Sequence, residues 1–320
     1  MPGTAESVTP MTPPPEAPGL FTRLFIGRDG LRALWSVVLF AIVLFAATVV
    51  IIGVPAVVYG ALFRHRGGMS SLVTGTTPLS IVIQSWPLAV AVLVTTFVMA
   101  RVEHRSPWSY GLAFRRAGGL FAAGLGWGFL ALSVLVGLLA LTGHLTISAP
   151  TNPPLVALRY AVEWAIAFLG VGVFEETMAR GYLQTRLSRA IGFWPAAVLL
   201  SILFGAGHYS NQGETAIGLI SAGTVGFVFC YSLYRSGSLW WAIGFHAGWD
   251  WAQSYFYGTH DSGVASNGAL FASDPAGVIW LSGGTTGPEG SVLVFVILVA
   301  VVLVIRWTLA PAPSATRSVQ

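Results

Sequence analysis

Residues 31–53 read LRALWSVVLFAIVLFAATVVIIG, an unbroken apolar run whose single charge, Arg32, stands at its start. At about 1.5 Å per residue, a helix of this length spans a hydrocarbon core of about 30 Å. Further apolar runs follow near 77–100, 120–141, 155–188, 194–210, 215–234, 239–257 and 291–307. The stretch 54–63 is apolar as well, and either extends the first helix beyond Pro55 or lies at the interface. The expected fold is all-α: a polytopic membrane helical bundle of about eight transmembrane helices, with no internal repeat.

Composition points the same way. Charged residues are 9% of the 320 positions, where soluble domains carry about 25%. So few charges cannot cover a water-facing surface. Residues 1–20, rich in Pro, Thr and Glu, read as a disordered tail; 21–310 read as a single transmembrane domain and 311–320 as a short tail. The lone Cys230 excludes an internal disulfide, a cysteine zinc cluster and an iron–sulfur site. All 16 basic residues are Arg, scattered rather than striped, so no nucleic-acid partner is expected.

Those arginines report topology. With the first span entering from inside, only Arg64, Arg66 and Arg159 fall outside, leaving thirteen of the 16 inside or within the membrane. Such a positive-inside bias places both termini in the cytoplasm of a multi-pass protein of the cell membrane. The loop 258–290 holds no basic residue and falls outside. Trp86, Trp127, Trp194, Trp240 and Trp241 lie near span ends, as interfacial anchors do.

A charge inside hydrocarbon costs about 2.5–3.5 kcal/mol or more, which makes intramembrane ionisable residues functional candidates. Here they cluster in three segments. In VFEETMARGYL (173–183), Glu176 and Arg180 are an i,i+4 pair that lowers the cost of burying both, leaving Glu175 free. An interfacial salt bridge is the plainer reading of that trio. In LFGAGHYS (203–210), Phe204 and His208 share a helical face, and in GFHAGWDWAQ (244–253) so do His246 and Asp250. Either histidine taken alone reads as a satisfied core residue. Depth joins them. A hairpin turning at Gly192 puts Glu175 17 residues before the turn and His208 16 after it, each about 25 Å along its helix. His246 lies 11 residues past Arg235, about 16 Å along the returning helix.

Two imidazoles with one free and one His-paired carboxylate suit two chemistries. They bind a divalent metal such as zinc through Glu175, His208, His246 and Asp250. They also activate water without metal, a carboxylate acting as general base. Both hydrolyse an acyl bond, here a peptide bond entering from the bilayer or the cytoplasm. The sequence has no H-E-x-x-H, G-x-S-G or G-x-G-D. Glu163 pairs with Arg159 at i,i+4, His260 and Asp261 read as solvated loop residues, and Cys230 as a packing residue.

In that order, Glu175-Glu176-x-x-x-Arg180, Phe204-x-x-x-His208 and His246-x-x-x-Asp250 resemble the motifs of the CPBP intramembrane protease family, also called type II CAAX prenyl endopeptidase-like, or Abi. The resemblance covers about 155–256. The segment 101–112 (RVEHRSPWSYGL) and GPEG at 287–290 also look like features of some bacterial members. The resemblance implies an intramembrane endopeptidase acting on a membrane-associated or lipidated protein or peptide. Glu175 and His208 would activate the water, and His246 with position 250 would stabilise the oxyanion. Glu176, Arg180 and Phe204 would organise the site. The family's metalloprotease label leaves metal dependence open. Position 250 is Asp where many relatives carry Asn, and an ionised Asp donates no hydrogen bond to an oxyanion. Two other classes stay in view. One is a non-catalytic immunity or scaffold protein. The other is a proton- or metal-coupled transporter, although the paired repeats usual in transporters are not evident.

Overall fold

The computed structural model describes residues 26–27, 30–62, 76–150 and 152–311. The tail at 1–20, most of that at 311–320, and Arg64 and Arg66 lie outside the described residues. Of the described residues 74% are helical. Among them six helices are, by length and composition, long and apolar enough to cross a membrane: α1 (Ala33–Tyr59), α2 (Pro78–Val102), α3 (Ala117–Leu141), α4 (Pro154–Ile191), α5 (Phe193–Ser210) and α6 (Ala216–Ser236). Two of the eight expected spans come out shorter. The run 239–257 forms α7 (Trp240–Asp250), continued by a π turn over Trp251–Phe256, and 291–307 forms α8 (Val294–Thr308) of 15 residues. The apolar stretch after Pro55 does continue α1, through a π turn at Val49–Gly53.

Local chemistry sets the boundaries. Thr77 Oγ1 accepts from Ser80 N–H at 3.2 Å and starts α2; Thr215 does the same for Gly218 N–H and starts α6. The expected hairpin between α4 and α5 turns at Gly192, whose φ of +89° suits glycine. Helix α4 spans 38 residues, longer than a bilayer needs, and it breaks at Gly181 (φ −81°, ψ −108°) beside Arg180.

The helix ends sort into two faces. Arg186 bonds the Leu31 carbonyl, Ser36 Oγ (3.0 Å) and Glu103 Oε1 (3.1 Å), joining the start of α1 and the ends of α2 and α4. Leu239 N–H donates to the Gly111 carbonyl at 2.9 Å, bringing the start of α7 to the same face. Arg235 Nη2 donates to the carbonyls of Arg306 and Leu309, joining the ends of α6 and α8 there too. At the opposite face β3 (Leu145–Ser148) pairs antiparallel with β4 (Ala272–Pro275), clipping the turn after α3 to the long loop after α7. The antiparallel two-residue strands β1 (Ile26–Gly27) and β2 (Gly30–Leu31) precede α1.

Helix α7 is the innermost element: Trp241, Ala242 and Ile243 are fully buried and Phe245 nearly so. Trp241 is therefore core rather than the interfacial anchor its position suggested; Trp194, 40% exposed, keeps that reading. Glycine makes the burial of α7 feasible. A Cβ at Gly124 or Gly128 of α3 would collide with the carbonyls of Trp241 or Phe245. One at Gly244 or Gly248 of α7 would collide with those of Phe121 or Leu125. Two reciprocal small-xxx-small stripes thus bring the backbones together, as in membrane helix pairs generally. Gly128→Leu or Gly248→Leu is expected to cost about 1–3 kcal/mol or more by overpacking, whereas Gly126→Ala, which meets no atom within 4 Å, should be near neutral. Thermal unfolding in detergent checks this, and equal melting temperatures would refute the close-packing account.

Candidate active site

The break in α4 presents three ionisable groups. Glu176 is fully buried, and its Oε1 accepts from Arg180 Nη1 at 3.0 Å and from His246 Nδ1 at 3.0 Å. The Arg180 guanidinium lies 4.0 Å above the Phe204 ring and against Gly226, where a side chain would intrude. Helix α5 runs out here, and a helix end leaves carbonyls without partners. The Phe204 carbonyl is taken by His208 Nδ1 at 2.9 Å. A carbonyl only accepts, so Nδ1 carries a proton, and in the neutral imidazole Nε2 is the acceptor. His246 Nε2 stands 3.4 Å from Asp250 Oδ2 and 3.7 Å from Glu175 Oε2. Glu175 is partly exposed, and its Oε2 has no hydrogen-bond partner among the described residues.

Glu175, His208, His246 and Asp250 all line one cleft, walled by Trp164, Phe168 and Val171 of α4 and by Ile81 and Gln84 of α2. A second hollow shares His208, His246 and Asp250 and adds Glu289. Behind this group Glu176 bonds Arg180 and His246, and the Arg180 guanidinium lies on the Phe204 ring. Glu163 stays apart, paired with Arg159 at 2.7 Å on the exposed side of α4.

The long loop corrects one expectation. Asp261 is not an ordinary solvated residue: it lines the cleft, accepts from Ser254 Oγ at 2.8 Å, and is held well above the usual carboxylate range by burial and by Asp250 and Glu289. His260 is half-buried, with Nδ1 2.9 Å from the Thr285 carbonyl. Glu289 was not singled out from the sequence, although it lies in the GPEG stretch. It accepts from Ser262 Oγ at 3.0 Å, and burial, then Glu214, pushes its carboxyl upward. Its signal was one more acidic residue in a loop that also holds Asp261 and Asp274, too weak to stand alone.

Metal binding is the remaining arrangement to weigh. Among the described residues no three His, Cys, Asp or Glu side chains converge in a way that would hold an ion. His246 Nδ1 is committed to Glu176 and His208 Nδ1 to a carbonyl, which leaves the two Nε2 atoms with Glu175 and Asp250 as the donors that line the cleft.

Residues 157–252 match the family model described as type II CAAX prenyl endopeptidase Rce1-like. That segment contains every side chain of the Glu/His/His/Asp group and is similar, at the level of the family, to CAAX-type intramembrane proteases; the apolar helices around it are those of a multi-pass membrane protein. No curated protein and no solved structure matches the chain.

The two ion pairs of α4 should behave oppositely. Arg180→Met leaves the buried Glu176 charge short of a partner and is expected to cost about 3–5 kcal/mol. Arg159→Ala removes an exposed pair and should cost at most about 1 kcal/mol. Comparable losses on thermal unfolding would contradict the buried-pair account.

Proposed function

We propose that this protein is an intramembrane endopeptidase that hydrolyses a peptide bond of a membrane-associated protein, with Glu175 and His208 activating the water. The observation that carries the reading is the convergence of Glu175, His208, His246 and Asp250 on one cleft. A water in the cleft donates one hydrogen bond to the Glu175 carboxylate and the other to His208 Nε2. Its oxygen attacks the scissile carbonyl carbon, and Glu175 takes the proton. His246, held through Nδ1 by Glu176, offers an Nε2–H donor to the developing oxyanion. Glu175 then returns the proton to the leaving nitrogen as the C–N bond breaks, so water is consumed and one carboxylate and one amine result.

Asp250 is a positioning residue in this scheme. At 3.4 Å from His246 Nε2 it favours the protonated imidazole, which suits Asp without requiring it to donate a hydrogen bond. A transporter would need a second access path to these groups; a non-catalytic protein would have no use for a carboxylate gathered with two imidazoles on one cleft.

In purified, reconstituted protein, Glu175→Gln and His208→Ala are each expected to lower cleavage about 10²–10⁴-fold with the fold intact by circular dichroism. Activity should survive prolonged chelation with 1,10-phenanthroline. Full activity in Glu175→Gln would end the hydrolase reading. Loss on chelation restored by added zinc would replace its mechanism with a metal one.

A further inference from the structure

The route into the cleft follows from where the arginines sit. The face that gathers the start of α1, the ends of α2, α4, α6 and α8 and the start of α7 carries Arg32, Arg101, Arg105, Arg115, Arg116, Arg186, Arg189, Arg235 and Arg306. Among the described residues the opposite face carries Arg159 alone. The positive-inside bias therefore holds in three dimensions, and the arginine-rich face is cytoplasmic.

The cleft opens at the other face. Its rim is Thr76 at the start of α2, Asn211 after α5, and Ala265 and Ser266 of the long loop. Asn267 Nδ2 donates to Thr76 Oγ1 at 3.3 Å and ties loop to helix there. Toward the cytoplasm the bundle is plugged: Tyr110 and Tyr182 donate to Glu103, Arg186 pairs with it, and both tyrosines are buried. Glu175, Asp250 and Asp261 line the cleft together with His208 and His246; the nearest guanidinium, Arg180, is buried against Glu176.

We propose that the cleft takes its substrate from the non-cytoplasmic face, as an exported stretch of protein. This rests on the endopeptidase reading and revises the expectation of entry from the cytoplasm.

One measurement tests it. Ala265→Cys at the rim and Ser109→Cys at the arginine-rich face are both exposed positions, while the native Cys230 is buried. In intact cells a membrane-impermeant maleimide should label Ala265→Cys, and Ser109→Cys only after permeabilisation; the reverse pattern overturns the assigned face. Full cleavage by Glu175→Gln in reconstituted protein would instead sink the endopeptidase reading, whichever face is labelled.

Discussion

One oxygen atom, Glu176 Oε1, holds the site together. It is buried, and it takes hydrogen bonds from Arg180 on its own helix and from His246 on α7. Removing a carboxylate from water costs several kcal/mol, offset only when its partners are well placed. Both partners are fixed in turn. Arg180 lies flat on Phe204, whose carbonyl fixes His208, and His246 is turned so that its second nitrogen meets Asp250 and Glu175. Moving Glu176 would therefore disturb α4, α5 and α7 together.

The rest of the fold keeps that atom in place. Glycine stripes let α3 and α7 approach until side chains are excluded between them, so the face of α7 bearing His246 and Asp250 is turned toward α4. At the arginine-rich face, Glu103 accepts from both tyrosines and pairs with Arg186, which also bonds the start of α1. That lock lies just past the Gly181 break, so the break gives α4 a fixed bend rather than a loose joint.

Much of this was legible in the sequence, for a physical reason. Hydrocarbon penalises charge so heavily that Glu175, Glu176, Arg180, His208, His246 and Asp250 stand out from their apolar surroundings, and helical periodicity places them at matching depths. The glycine stripes were not legible, because 38 glycines in the chain give no sign of which ones bring α3 and α7 into backbone contact. The length of α7 was also misleading. A buried inner helix need not span a bilayer, and hydropathy does not separate the two cases. Asp261 and Glu289 reach the site only because a loop folds back over it, a non-local contact that local pattern does not encode.

That loop follows from the chemistry. Hydrolysis needs water at membrane depth, and irregular backbone is tolerated there only where it lines a wet cavity or lies buried in protein. Helix α5 gives way at His208 to a short 3₁₀ turn, and α7 ends in a π turn, so the pocket floor is helical while its upper wall is loop. The same helix end that opens the pocket leaves the Phe204 carbonyl free, and the His208 imidazole takes it, favoured also by the negative end of the helix dipole. Ending the helix thus supplies space for water and a histidine with a defined tautomer beside it. Asp250, Asp261 and Glu289 face the opening so made, where water and the two imidazoles moderate their mutual repulsion; in a closed, dry bundle these carboxylates would have only one another.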